Sequence, residues 1–78
     1  MPTALLHGPY RIYFYSHDQT EPQHVHVDRE EKSAKFWLNP VNLARNLGFG
    51  PHEIRKIRSI LGENEDGLRE AWDEYFEP

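Results

Sequence analysis

The chain contains no cysteine, and this absence limits both its fold and its chemistry. It excludes a disulfide framework and any zinc site built on thiolates, and it gives no support for an oxidising compartment. Long apolar runs are missing too: no window approaches about eighteen apolar residues, and residues 1–6 lack a basic region followed by a long apolar one. We therefore expect a cytoplasmic protein with neither a signal peptide nor a membrane span.

Several catalytic motifs are also missing. The sequence has no glycine-rich phosphate-binding loop, no Gly-x-Ser-x-Gly turn and no His-Glu-x-x-His helix. A cysteine nucleophile is excluded too, because the chain contains no cysteine. These absences argue against nucleotide hydrolysis and against zincin-type proteolysis.

The chain is small and rich in aromatic residues. At 78 residues it lies near the lower limit at which a hydrophobic core alone keeps a protein folded. Hydrophobic residues make up 37% of it and aromatics 13%, so we expect large rings to fill much of the core. No repeat, linker or low-complexity stretch divides the sequence, which predicts a single domain over residues 1–78.

Charge is distributed unevenly along the chain, whose net charge is −4. Residues 1–62 carry eight Lys and Arg against six Asp and Glu, whereas residues 63–78 carry one against seven. Such an acidic end is typical of a solvated helix face, and the alternative is a contact for a basic partner. The overall acidity argues against avid, nonspecific binding of nucleic acid.

Four segments carry strand signals. Residues 3–6 and 10–16 flank a Gly-Pro turn and predict a hairpin. Residues 23–28 alternate apolar and polar side chains with a period of two, and residues 33–38 do so again after a charged turn. The pattern predicts a small antiparallel meander of three to four strands.

A short helix should follow the meander. Asn is a favoured helix cap and Pro suits the first helical turn, so Asn39–Pro40 predicts a helix that runs through residues 41–47 and stops at Gly48.

A longer helical segment should then reach the C-terminus. Gly50–Pro51 begins it, and two glycines, Gly62 and Gly67, interrupt it, so we predict two helices or one helix kinked near residues 62–66. The fold class is therefore α+β. The apolar stripe of this segment is formed by Ile54, Ile57, Leu61, Leu68, Trp72 and Tyr75.

The core pattern also predicts the register of the second hairpin. A two-residue loop at Glu30–Glu31 sets Val25 opposite Phe36 on the core side, and it sets His24 opposite Trp37 on the other side. The further predicted pairs are His26 with Lys35, Val27 with Ala34, and Asp28 with Ser33.

One side of the sheet thereby gathers an unusual set of residues. On the preceding strand Ile12 and Phe14 should face the core, so the residues next to them in sequence should lie on the same face as the histidines. A solvated sheet face does not need three large aromatics next to two imidazoles and two cations. We call this surface the histidine face; its predicted members are Arg11, Tyr13, Tyr15, His24, His26, Lys35 and Trp37.

Metal binding is one chemistry open to this face. His24 and His26 lie two residues apart on one strand, with Cβ atoms about 7 Å apart, a spacing that one zinc or copper ion can use. Lys35 beside them would raise the cost of placing a cation there. We assign no metal ligand and no cofactor, and keep metal binding as an alternative. The candidates for a third ligand are His17, Glu21 and Asp28.

Metal-free RNA cleavage is the second chemistry. A pair of histidines can serve as general base and acid, a Lys or Arg can stabilise charge on phosphorus, and aromatic rings can stack on bases. The acidic charge balance leaves few cations to hold a phosphate backbone. The candidate catalytic residues are His24, His26 and Lys35, and the candidate binding residues are Arg11, Tyr13, Tyr15 and Trp37.

A purely structural interpretation stays open for the same residues. Trp37 and the tyrosines could shelter under the acidic helix as a second small core, with the histidines hydrogen-bonded and half-buried. We expect Trp72 to pack on the opposite side, with Ile12 and Phe14, and not over the histidines. Trp37 is expected to be a surface stacking residue.

Three motifs together resemble a bacterial family. The strand Pro22–Val27, the strand Ala34–Leu38 and the C-terminal Ala71–Phe76 are similar to those of domain-of-unknown-function family 4160. Family members commonly have a second proline where this chain has Gln23. The motif residues carried over by the resemblance are His24, His26, Lys35, Trp37 and Trp72.

The resemblance implies a genetic and functional setting, although it names no reaction. Such proteins are typically encoded beside a member of domain-of-unknown-function family 2442, and the pair has been proposed as a toxin-antitoxin module. By this resemblance we expect a toxin-like component that is held by a small partner and acts, when free, on RNA or the translation machinery. The alternatives are a non-enzymatic protein-binding or regulatory module and a His-x-His metal-binding protein.

Overall fold

The computed structural model describes residues 3–15 and 20–76. In these residues five strands are followed by two helices, which confirms the α+β class with one strand more than the four expected. The strands are β1 (Thr3–His7), β2 (Tyr10–Tyr13), β3 (His24–Arg29), β4 (Lys32–Trp37) and β5 (Asn42–Leu47), and the helices are α1 (Pro51–Glu63) and α2 (Glu65–Tyr75).

The strands form one antiparallel sheet in the order β1-β2-β3-β4-β5. The predicted first hairpin is confirmed, although β2 ends at Tyr13 and residue 16 of the predicted strand lies outside the described residues. The predicted register of β3 and β4 is confirmed at every pair, with His24 opposite Trp37. Glu30 takes a left-handed conformation in the tight loop between them, at φ 56°.

The predicted short helix through residues 41–47 is wrong. Residues Asn42–Leu47 form β5, which pairs with β4 from Ser33 to Trp37. Asn39 is not a helix cap either, since it lies in the turn between the two strands with φ 64°. Pairing with β5 satisfies backbone groups of β4 that would otherwise form an open edge.

A β-bulge explains why the strand was missed. Leu43 lies opposite Phe36 and Arg45 lies opposite Lys35, so Ala44 is an extra residue in the ladder. Leu43 and Arg45 consequently face opposite sides of the sheet, although they are two residues apart. This phase change removes the alternation by which a strand is recognised.

The core lies between one face of the sheet and the two helices. Ile12, Val25, Val27 and Phe36 are fully buried there. Phe49 joins the same cluster from the turn before α1, at 4% exposure, and sequence periodicity gave no sign of it. The helix residues in the cluster are Ile54, Ile57, Ile60, Leu61 and Leu68.

The helical segment breaks where it was predicted to break. Gly50 caps α1 and Pro51 is its first residue, as expected. Asn64 separates the helices: its side chain donates to the Ile60 carbonyl at 2.8 Å, and its own carbonyl accepts from Leu68 N–H at 2.9 Å. In the described part of the chain, neither helix has the length and apolar composition that crossing a membrane requires.

One charged cluster fastens the start of α1 to the sheet. Glu53 accepts hydrogen bonds from Arg29 at the end of β3, one of them at 2.8 Å, and from the Tyr10 hydroxyl at 2.8 Å. These bonds, from Arg29 first and Tyr10 second, lower the pKa of Glu53 from its ordinary value of 4.5 to about 2. Burial and the bond to Glu53 raise the pKa of Tyr10.

This cluster predicts a defined loss of stability in acid. Since the pKa of Glu53 is lower in the folded protein than in the unfolded chain, the stability that it contributes is present above pH 4.5 and is lost as the pH falls towards about 2. Thermal melts followed by circular dichroism should therefore show a melting temperature that falls across this window. In the Glu53→Gln variant the melting temperature should fall less across the same pH window.

Glu30→Gln is the matched control for this experiment. Glu30 pairs with the same Arg29 at 2.8 Å, but its side chain is 76% exposed. At neutral pH the melting temperature of Glu30→Gln should be close to that of wild type, whereas that of Glu53→Gln should be lower. Parallel pH profiles of Glu53→Gln and wild type would contradict the assignment.

Candidate functional site

The register of the sheet aligns four aromatic or cationic side chains in one row across four strands. Tyr13 of β2 lies opposite His26 of β3, His26 lies opposite Lys35 of β4, and Lys35 lies opposite Arg45 of β5. Directly opposite residues project from the same face of a sheet, so all four belong to the histidine face. Arg45 was not among the predicted members because its segment was expected to be a helix.

A second row lies beside the first. His24 of β3 lies opposite Trp37 of β4, and Trp37 lies opposite Asn42 of β5. Tyr15 follows the end of β2, and its ring lies 4.8 Å from the ring of His26. The structure therefore brings together all seven residues predicted for this face, while their catalytic and binding roles stay predictions.

His26 is held between aromatic rings. Its imidazole stacks on Tyr13, with centroids 5.4 Å apart and an angle of 29° between the planes. Tyr15 and His24 meet it edge-on, the latter at 5.2 Å. The residue is half-buried and so keeps part of its surface exposed.

His24 is fully buried, which the sequence did not indicate. Its Nδ1 lies 2.8 Å from the carbonyl oxygen of Pro22, and since a carbonyl can only accept, Nδ1 carries the proton of this bond. Nε2 faces a carboxylate oxygen of Glu21 at 3.8 Å. The rings of Trp37 and Trp72 lie 5.6 and 5.1 Å from the imidazole.

Glu21 connects the two rows. Its Oε1 accepts a hydrogen bond from Lys35 Nζ at 2.6 Å and lies 3.8 Å from His24 Nε2. The Lys35 ammonium also lies 4.6 Å from the centre of the Trp37 ring, within the range of a cation–π contact. The sequence analysis considered Glu21 only as a metal ligand; here it links Lys35 to the buried histidine.

Tyr13 and Asp28 form a second polar pair on this face. The Tyr13 hydroxyl donates to Asp28 Oδ2 at 3.0 Å, and burial is the main cause that raises the pKa of Tyr13 well above its ordinary value, followed by its bonds to Tyr15 and Asp28. Arg11 lies over the Tyr13 ring at 4.5 Å. In the described residues, the buried Oδ1 of Asp28 accepts no hydrogen bond from the protein, which is uncommon for a buried carboxylate oxygen.

The expected position of Trp72 is wrong in part. Its ring does contact Phe14, at 5.6 Å, as predicted. It also lies 5.1 Å from His24 and so reaches the histidine that it was expected to avoid. The reason is that Phe14 packs with Trp72, Tyr75 and Phe76 at the end of the sheet, where both faces are accessible to one helix.

Gln23 holds α2 beside His24. Its side chain donates to Asp73 Oδ1 at 2.7 Å and accepts from Arg69 Nε at 3.1 Å. It directly precedes His24 at the start of β3. A second proline here, as is common in the family that the chain resembles, could make neither bond, so this chain replaces backbone rigidity with a polar contact to α2.

No metal centre is evident in the part of the chain that the structure describes. Within residues 3–15 and 20–76, no three His, Asp or Glu side chains are grouped so that they could hold an ion. His17, one of the candidate third ligands, lies outside these residues.

Comparison with known protein families confirms the family resemblance. Residues 10–73, which include every member of the histidine face, match the family described as Domain of unknown function (DUF4160). The chain belongs to the DUF4160 family. No curated protein and no solved structure gives a significant match. The DUF4160 match begins after β1 and ends within α2.

The ring cluster at the end of the sheet predicts a large effect of Trp72→Ala. Trp72 is 6% exposed and its ring contacts Phe14, His24 and Phe76. Truncation should lower the free energy of unfolding by about 3 to 5 kcal/mol, measured by urea denaturation. Trp37→Ala, at a half-buried position, should lower the free energy of unfolding clearly less. Tyr75 is 45% exposed, so Tyr75→Ala should lower it less again. Equal losses for the two tryptophans would show that the histidine face is an ordinary packed layer.

Proposed function

We propose that this DUF4160 protein is the toxin-like component of a bacterial two-gene module and that its histidine face acts on RNA. A small protein encoded by the neighbouring gene, of the family 2442 type, would hold it inactive. The genetic setting comes from the family; the choice of RNA comes from the chemistry of the face.

The row formed by Tyr13, His26, Lys35 and Arg45 carries this proposal. It places the half-buried imidazole of His26, backed by the buried ring of Tyr13, directly beside two cations on neighbouring strands. Flat rings stack on unpaired bases, and Lys or Arg neutralises the phosphates between them. Trp37, half-buried in the next row, extends the stacking surface.

The charge distribution is compatible with an anionic ligand on this face. Arg11, Lys35 and Arg45 contribute three positive charges, against Glu21 and Asp28. The large acidic excess of the chain lies on α2, where Asp73 contacts Gln23 next to His24 and Glu74 lines the cavity beside β1. An RNA on the histidine face would therefore bind on the side of Lys35 and Arg45, away from α2.

If the protein cleaves RNA, His26 is the histidine that a substrate can reach. It would accept the proton of a ribose 2′-hydroxyl while that oxygen bonds to phosphorus and the bond to the 5′-oxygen breaks. The products would be a 2′,3′-cyclic phosphate and a 5′-hydroxyl, which takes up a proton from a general acid. Lys35 and Arg45 would stabilise the charge that develops on the phosphoryl oxygens.

His24 has a different role in this proposal. Since it is fully buried, it would act as a positioning residue that orients His26 edge-on and carries the link to Glu21. The same burial supports the second candidate, a non-enzymatic binding module, because only one exposed imidazole remains on the face. The two candidates differ in whether bound RNA is cut.

Growth inhibition provides the first test. Induced alone in a bacterial host, the protein should slow growth, and co-expression of the neighbouring gene should restore it. His26→Ala and Arg45→Ala should each relieve the inhibition, because both remove groups that would contact RNA. If the lone wild-type protein never slows growth at high expression, the toxin proposal is wrong.

The other side of the molecule supplies matched controls. His52 and Arg55 are exposed on α1, so His52→Ala and Arg55→Ala remove the same side chains from a surface remote from the histidine face. They should inhibit growth as strongly as wild type. Relief by these variants as well would indicate a general effect of charge or expression level.

RNA binding gives a second, independent test. A fluorescein-labelled single-stranded RNA should bind the purified protein with an affinity that falls as salt rises, and Trp37→Ala should weaken it about tenfold. Gel analysis of the same mixture separates the two candidates. Fragments ending in a cyclic phosphate that disappear with His26→Ala indicate a ribonuclease, and intact bound RNA indicates a binding module. Equal affinity of Trp37→Ala and wild type would exclude the stacking surface.

A further inference from the structure

A groove runs between β1 and α2, away from the histidine face. β1 is the first strand of the sheet, so one of its edges faces outward. We propose that this groove docks an extended segment of a partner protein, which adds a strand beside β1 and carries alternating apolar and basic side chains. The proposal goes beyond the RNA chemistry above and does not depend on it.

The groove consists of two adjoining cavities that share Ala4. One has a volume of about 160 Å³ and is lined also by Leu5 and Leu68. The other, of about 330 Å³, is lined also by Phe14, Ala71 and Tyr75. The walls are mostly apolar, and together the cavities have room for more than one aliphatic side chain.

The wall on α2 is formed by small residues at helical spacing. Gly67 and Ala71 are one turn apart, and a Cβ atom added at Gly67 would meet no atom within 4 Å. The helix flank therefore stands back from β1 without being filled by any side chain of the described residues.

The direction of the β1 side chains makes a strand the natural occupant. Leu5 lies opposite Ile12, a fully buried core residue, so Leu5 faces the side of the sheet on which α2 lies. A strand paired to β1 would lie about 4.8 Å further out and continue the sheet beneath the α2 flank. Every second side chain of that strand would enter the groove.

Charge specifies the partner further. Glu74 lines the groove, and Asp66 and Glu70 are exposed on the same helix. Across residues 3–15 and 20–76, none of these three acids forms an ion pair. An RNA would be repelled by this rim, whereas Lys or Arg side chains on the outward face of an added strand would be attracted by it.

A displayed library of random peptides, each about a dozen residues long, tests the proposal with the intact protein. Selected peptides should alternate apolar and basic residues, and amide shifts in NMR spectra should map them to β1 and the α2 flank. Methylating alternate backbone nitrogens of a selected peptide should abolish binding, because a strand at an edge is held by main-chain hydrogen bonds. Failure to select any peptide, or shifts confined to β5 or the histidine face, would overturn the proposal.

Two glycine variants form a matched pair for the same test. Gly67→Leu places a Cβ where no atom lies within 4 Å and replaces a glycine inside a helix, so it should fold at least as well as wild type. It should weaken a selected peptide about tenfold or more. Gly62→Leu, at an equally open position inside α1, should bind the peptide like wild type.

Charge reversal and growth complete the test. Glu74→Lys should weaken the peptide at low salt and less so at high salt. Gly67→Leu should inhibit growth as wild type does when expressed alone, so a failure of the groove proposal can be told from a failure of the RNA proposal. Equal peptide affinity of Gly67→Leu and wild type would refute the groove as the docking site.

Discussion

The pairing of β3 with β4 is the constraint on which the rest of the molecule depends. A single register puts Val25 and Phe36 into the core and, by the same alternation, sets His24 and Trp37 on the other face. A slip by one residue would exchange the two faces and lose both the core and the site. The short loop at Glu30–Glu31 makes that slip costly, because a changed register needs a different loop length and turn geometry.

The two faces of the sheet are less separate than this alternation implies. At the end of the sheet the ring of Trp72 contacts both Phe14, which was predicted to face the core, and His24 of the histidine face. His24 is consequently a fully buried polar residue in a protein with a small core. Burial of a polar ring costs stability unless its nitrogens have partners. Nδ1 of His24 is bonded to the Pro22 carbonyl, whereas Nε2 lies 3.8 Å from Glu21, beyond hydrogen-bond distance. The site is therefore tied to folding, because Trp72 contacts His24 and the adjacent Gln23 bonds to Asp73 and Arg69, which hold α2 against the sheet.

The local pattern of apolar and polar residues was sufficient to predict those parts of the fold whose side chains alternate regularly in the structure. The alternation in β3 and β4 predicted every pair of their register, and the glycines around Asn64 predicted the break between the helices. β5 could not be predicted in this way, because the bulge at Ala44 shifts the phase of its side chains. Its loss from the sequence analysis also removed Arg45 from the predicted site. The contacts of Gln23 with Asp73 and of Trp72 with His24 join distant parts of the chain, so no local signal carries them.

The position of α2 gives the two proposed surfaces a physical connection. Ala71 lines the groove beside β1, and the next residue, Trp72, contacts His24. Four residues earlier, Gly67 lines the groove, and Leu68 both lines it and packs in the core. A strand that docked beside β1 would press on the flank of α2, and a helix of eleven residues moves as a unit because its backbone hydrogen bonds tie each turn to the next. Contacts of Trp72 with His24, and of Glu21 with His24 and Lys35, continue this connection to the histidine face.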